Sequence, residues 1–277
     1  MRAWVSFVTL LSLSATTFAQ TTRPVGPPAE AGAKAALESS PRHGEWAEVT
    51  VAEGQPKVKC WVVYPEVKDK APVVIVIQEI FGLSDWLRAT ADQLAADGFI
   101  AIAPDLLSGK GPGGGGTDSL GGRDNVTKAT RDLTPEATNR MLDAVLAYGK
   151  TLPASNGRTA TVGFCWGGSA SFAYAAHNKD VSAAVVAYGS GPRDDADYAK
   201  INAPVLGLYG GDDARITATL PQSEAAMKNA GKTYTPRVYP GAGHGFFRQP
   251  DGKDGANRRA VDAAWPELVK FIKENAK

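Results

Sequence analysis

The run Val73-Val74-Ile75-Val76-Ile77 constrains the fold more than any other stretch of the chain. Five consecutive β-branched apolar residues leave no polar face, so a strand built from 71–78 must be covered on both sides. Behind it, 84–97 sets Trp86, Leu87, Ala91, Leu94 and Ala95 at helical spacing, Gly98 stops that helix, and 99–104 is a second short buried strand. A strand–helix–strand order of this kind predicts a parallel sheet with right-handed crossovers. The alternation continues through the chain. Thr134 followed by Pro135 starts a helix to about residue 150, 158–164 is a strand, and 167–178 is a helix. Strands at 181–188 and 204–209, a helix at 220–230, a strand at 233–239 and a C-terminal helix over about 256–275 complete it, with Pro266 expected to kink or split the last. Ahead of the first buried strand, 45–52 and 58–64 alternate as an antiparallel pair in which Cys60 is a packed side chain. The expected architecture is one α/β domain over 45–277, a mostly parallel sheet with helices on both faces.

The termini and the balance of charges narrow the function. Residues 1–19 combine Arg2, an apolar stretch from Ala3 to Leu13, and small residues at Thr17 and Ala19, the pattern of a secretory signal peptide cleaved before Gln20. That predicts an exported protein, periplasmic or secreted, with no membrane anchor after cleavage. Residues 20–44, rich in Pro, Ala, Thr and Ser, read as a flexible linker. Arg2 is the only charge before Gln20, so the mature chain carries 29 basic and 29 acidic residues, which argues against nucleic acid or an anionic membrane as partner. A small-molecule substrate and a monomer are expected. Two cysteines and three histidines (His43, His177, His244) form no local cluster, so no metal is expected, and a Cys60–Cys165 disulfide is the alternative to free thiols. The segment 105–133 lacks periodicity and holds a glycine run at 113–116; it reads as a mobile flap near the site. Its Gly109, Gly111 and Gly114 match a dinucleotide fingerprint formally, without the strand–turn–helix context that fingerprint needs, so no cofactor is expected.

Chemistry concentrates in Gly163-Phe164-Cys165-Trp166-Gly167, where a buried strand ends in a cysteine with glycine two residues away on each side. Small flanking residues let the backbone make a strained strand-to-helix turn with the sulfur at its tip. The first amides of the following helix would face an oxyanion, Trp166 N–H among them, and would favour a thiolate. A nucleophile also needs a base, and the base needs an acid to orient it. Asp212 and Asp213 follow the strand at 204–209, and His244 follows the last strand between Gly243 and Gly245. All three groups fall beyond the C-terminal ends of strands, where open α/β sheets bind ligands.

The chain resembles the dienelactone hydrolase family over roughly residues 45–275. The resemblance rests on Gln78-Glu79-Ile80-Phe81-Gly82, Gly163-Phe164-Cys165-Trp166-Gly167-Gly168, Gly210-Gly211-Asp212-Asp213 and Gly243-His244-Gly245-Phe246. It implies an α/β-hydrolase fold and hydrolysis of an ester or lactone through a thioester on Cys165. In that pattern Asp213 is the orienting acid, His244 the base, Glu79 a carboxylate touching the resting thiol, and the amides of Ile80 and Trp166 the oxyanion hole. Arg248, four residues after His244, matches an arginine that grips a substrate carboxylate. A second family arginine, expected shortly after Pro104-Asp105-Leu106, is replaced here by Leu107-Ser108-Gly109, with Arg123 and Arg131 further along the loop. Two other classes fit the same residues: a carboxylate-binding module of weak catalytic power on this fold, and a redox thiol protein.

Overall fold

The computed structural model describes residues 25–277. The segment read as a signal peptide therefore lies outside the described residues. Eight strands, β1 (Gly44–Val49), β2 (Val58–Val63), β3 (Ala71–Ile77), β4 (Ile100–Pro104), β5 (Ser155–Phe164), β6 (Val181–Ala187), β7 (Val205–Gly210) and β8 (Tyr234–Tyr239), form one sheet in the order β1-β2-β4-β3-β5-β6-β7-β8. The two β2 pairings are antiparallel and every pairing from β4 to β8 is parallel. The helices are α1 (Ala33–Glu38), α2 (Asp85–Ala96), α3 (Arg123–Arg131), α4 (Pro135–Thr151), α5 (Trp166–His177), α6 (Asp195–Tyr198), α7 (Ala214–Thr217), α8 (Leu220–Asn229) and α9 (Ala256–Asn275).

The apolar run Val73–Ile77 lies in β3, in the interior of this sheet. Its two-residue period divides the core: Val74 and Val76 meet α2 and α9 on one face, while Val73, Ile75 and Ile77 meet α4 and α5 on the other. All five are fully buried. Burial of each of these five side chains contributes about 1.5–3 kcal/mol, so a polar exchange at any of them is expected to destabilise the sheet. Ser84 and Thr134 cap α2 and α4 by accepting from the amides of Leu87 (3.3 Å) and Ala137 (3.2 Å). α9 runs unbroken through Pro266.

Two expectations are corrected. From residue 25 onward the stretch expected as a flexible linker is packed on the domain. Ala33 is fully buried in the core, Trp86 Nε1 donates to the Pro28 carbonyl at 3.1 Å, and Asp92 accepts from Ser40 Oγ (2.6 Å) and Arg42 Nε (2.9 Å). The supposed flap at 105–133 is organised too. Asp105, 5 % exposed, accepts from Thr117 N and Thr117 Oγ1, both at 2.7 Å, closing a compact glycine-rich loop that leads into α3. That helix was not legible as a period because Gly121 and Gly122 precede it and only Val126 and Thr130 of its nine residues are buried.

Candidate active site

The turn between β5 and α5 holds Cys165 at φ 55°, ψ −114°, a conformation that costs a non-glycine residue on the order of 1–3 kcal/mol and is rewarded only by what surrounds it. Cys165 N donates to Ala187 O at 3.0 Å, which ties the turn to β6. The flanking glycines are required by close backbone approach. A Cβ on Gly163 would stand 1.8 Å from the Gly167 carbonyl oxygen, and one on Gly167 would stand 2.3 Å from the Gln78 carbonyl oxygen.

Two loops bring the other groups to the sulfur. Asp213 precedes α7 and makes no capping bond with its side chain, which leaves the carboxylate free. The loop after β8 is anchored by buried Asn257, which accepts from Gly243 N (2.9 Å) and donates to Gln249 O (2.7 Å). Asp212 N donates to Ala242 O at 2.9 Å and locks the two loops together. His244 consequently lies between Asp213 and Cys165: Nδ1 is 2.5 Å from Asp213 Oδ2, and Nε2 is 3.0 Å from Cys165 Sγ. An ionised carboxylate only accepts, so the proton is on Nδ1 and Nε2 faces the thiol as an acceptor. Asp212, by contrast, points outward to Lys253 Nζ at 3.3 Å, so of the two acids it is Asp213 that stands beside His244.

Cys165 opens into a cavity of about 520 Å³ lined also by Glu79, Ile80, Trp166, Tyr188, Arg215 and Arg248. Two larger depressions, lined by Trp265 and Val269 and by Val49 and Tyr148, hold no nucleophile, so volume alone does not mark the site. Burial and the Glu79 carboxylate push the Cys165 thiol up to about 11, and the Trp166 amide pulls it back only in part. Desolvation and the Glu79 charge together outweigh the Trp166 amide and the Arg215 and Arg248 charges, so the helix terminus does not by itself favour a thiolate here. Both cysteines are free: Cys60 is buried in β2, where burial raises it to about 12, and no disulfide joins it to Cys165.

Glu79 is placed where its motif predicted, at the end of β3, but it does not bond the thiol. Arg248 Nε donates to Glu79 Oε2 at 2.7 Å. Burial still pushes the Glu79 carboxyl from 4.5 up to about 7, with Arg248 opposing. A carboxyl raised in this way binds more protons folded than unfolded between about 4.5 and 7, so its contribution turns against the fold as pH rises through that window. A Glu79→Gln variant is therefore expected to gain in Tm relative to the unsubstituted protein on going from about pH 5 to about pH 8, measured by calorimetry; a pH-independent difference would contradict the assignment.

Tyr188, Arg215 and Glu30 also reach this region without belonging to any motif of the sequence. Tyr188 follows β6 at φ 41°, its ring centroid 5.0 Å from that of His244, and its buried hydroxyl faces the Glu79 carboxyl. Burial and the neighbouring Glu79 carboxylate raise that hydroxyl well above its usual range. Its position beyond a parallel strand was the available signal. Glu30 carried none, because its contact spans 218 residues to Arg248.

The strand order, antiparallel only around β2 and with the strained turn after β5, is that of the α/β-hydrolase class. The family model for the dienelactone hydrolase family matches residues 58–276. A candidate carboxymethylenebutenolidase of Methylorubrum extorquens is 36% identical over 206 residues, 68% of this chain and 69% of that protein. One from Salmonella typhimurium is 33% identical over 223 residues, 75% and 79% of the two chains. The crystal structure of a candidate dienelactone hydrolase from Klebsiella pneumoniae superposes with a TM-score of 0.70 at 26% identity, covering 84% of this chain and 99% of that one. The chain belongs to the dienelactone hydrolase family, and it is a hydrolase of carboxylic ester bonds.

Proposed function

We propose that this protein cleaves an ester or lactone through a thioester on Cys165, with His244 as the base and Asp213 as the acid that orients it. The observation that carries the reading is the unbroken relay from Sγ to Nε2 at 3.0 Å and from Nδ1 to Asp213 at 2.5 Å, opening on one cavity. As the sulfur attacks the acyl carbon, His244 Nε2 takes the thiol proton, and the imidazolium that forms is held by Asp213. The amides of Ile80 and Trp166 donate to the oxyanion. Collapse of that adduct breaks the acyl–oxygen bond, with His244 returning the proton to the departing alkoxide. Water then attacks the thioester by the same route, and the acid and the thiol are released. Glu79, raised to about 7, lines the same cavity and holds or gives up a proton near neutrality.

The charged, apolar and small-residue order of residues 1–19 supports an exported enzyme whose mature chain starts at Gln20, readable as the intact mass of the native protein. The function itself is tested with small uncharged aryl esters. Turnover that disappears in Cys165→Ala supports the reading, and turnover that survives contradicts it.

A further inference from the structure

Arg248 is expected to meet a substrate carboxylate, yet the chain already occupies it. A guanidinium offers two forked faces, Nε with one terminal nitrogen and the two terminal nitrogens together. Glu79 Oε2 accepts from Nε at 2.7 Å, and Glu30 Oε2 accepts from Nη1 at 2.5 Å, so each fork has one arm engaged. The second Glu30 oxygen lies 3.4 Å from Arg123 Nη1. The Phe81 ring packs against both cations, 3.7 Å from the Arg123 guanidinium and 4.9 Å from that of Arg248.

Glu30 is held there by more than its charge. Its own amide donates to Arg248 O at 3.0 Å, and two residues earlier the Pro28 carbonyl accepts from Trp86 Nε1. A single helical turn, Glu30–Gly32, then leads into α1, whose Ala33 is fully buried against the core. This strap precedes the region 58–276 that the chain shares with its family. With two carboxylates on one guanidinium, the charge that would draw an acid group is already answered, and such a group brought alongside would also face Glu30 and Glu79.

We propose that Glu30 is a specificity-determining residue: its carboxylate takes the place on Arg248 of a substrate acid group, so the cavity accepts esters with uncharged acyl chains and rejects those whose acyl chain ends in a carboxylate. The inference rests on ester hydrolysis at Cys165 for its kinetic consequence and on the Glu30–Arg248 contact alone for its binding consequence. Arg131 and Arg215 also line the cavity and are the groups that would hold an anionic acyl chain if Glu30 did not decide the matter.

The experiment compares two aryl esters with the same leaving group, a butyrate and a hemiglutarate, on the unsubstituted enzyme and on Glu30→Gln, alongside calorimetric titration of both proteins with glutarate. Freeing one charge-assisted donor pair predicts a gain of about tenfold or more for Glu30→Gln in the hemiglutarate-to-butyrate ratio of kcat/KM, and a similar tightening of glutarate binding. Both gains are expected to vanish when Arg248→Met is added. Unchanged selectivity and unchanged glutarate affinity in Glu30→Gln would overturn the proposal, as would an unsubstituted enzyme that already prefers the hemiglutarate. Ester turnover that survives Cys165→Ala would bring down the thioester reading instead, while the glutarate titration would still judge Glu30.

Discussion

Cys165→Ala is expected to lower kcat on a small aryl ester by about 10,000-fold or more, with KM nearly unchanged. The size of the loss follows from the arrangement. Deleting the sulfur removes the covalent route, and His244 then has no group to deprotonate at its 3.0 Å contact. What remains is orientation in the cavity and donation by backbone amides, which alone give a modest acceleration over water. Cys165→Ser is the informative companion. Because the native group rests as a thiol, raised by burial and by Glu79, it depends on His244 for activation at the moment of attack. A hydroxyl depends on a base in the same way, so Cys165→Ser is expected to keep more activity than Cys165→Ala. Equal rates for the two variants would mean that the base is not aligned on this position.

Gly163→Ala is expected to have the largest effect on stability, at about 4 kcal/mol or more, enough to leave little folded protein when a domain has only about 5–15 kcal/mol in hand. The added methyl would stand 1.8 Å from Gly167 O and 2.9 Å from Gly168 N, and both are backbone atoms of the turn that cannot swing aside. Relief would require α5 to move away from β5, which would open the core around Phe164 and Phe172. Gly32→Ala serves as the control. No heavy atom lies within 4 Å of its would-be Cβ and its φ is −95°, so its Tm is expected to stay within the small range of ordinary surface exchanges. Thermal unfolding of the two variants checks the contrast, and a Gly163→Ala protein as stable as Gly32→Ala would mean that the turn is looser than its contacts imply.

Much of the fold was legible because it repeats a simple period. The five-residue apolar run at 73–77 announced a strand buried on both faces, and every later strand and most helices followed from alternation about it. The site was legible in part for the same reason, since Cys165, Asp213 and His244 each follow a strand and the sheet brings strand ends together. Desolvation was not legible. The helix terminus at Trp166 argued for a thiolate, whereas burial of the sulfur beside Glu79 makes it a thiol, and burial depends on the whole fold. Asp212 and Asp213 could not be told apart by spacing, and only the family resemblance favoured Asp213, because the two differ only in which way the loop turns. Glu30 was invisible. Its partner on the far side of the chain is found only once α1 has docked on α2, in a stretch whose composition pointed to a linker.

A covalent bond to Cys165 is best sought by rapid quenching of the enzyme with a slowly hydrolysed aryl ester, followed by intact-mass and peptide mass spectrometry. One acyl group is expected on the peptide carrying Cys165, released by hydroxylamine as a thioester is, with the buried Cys60 unmodified and no adduct in Cys165→Ala. Acyl label on another residue, or full turnover with no adduct accumulating under burst conditions in which the ester's alcohol is released ahead of the acid, would contradict it.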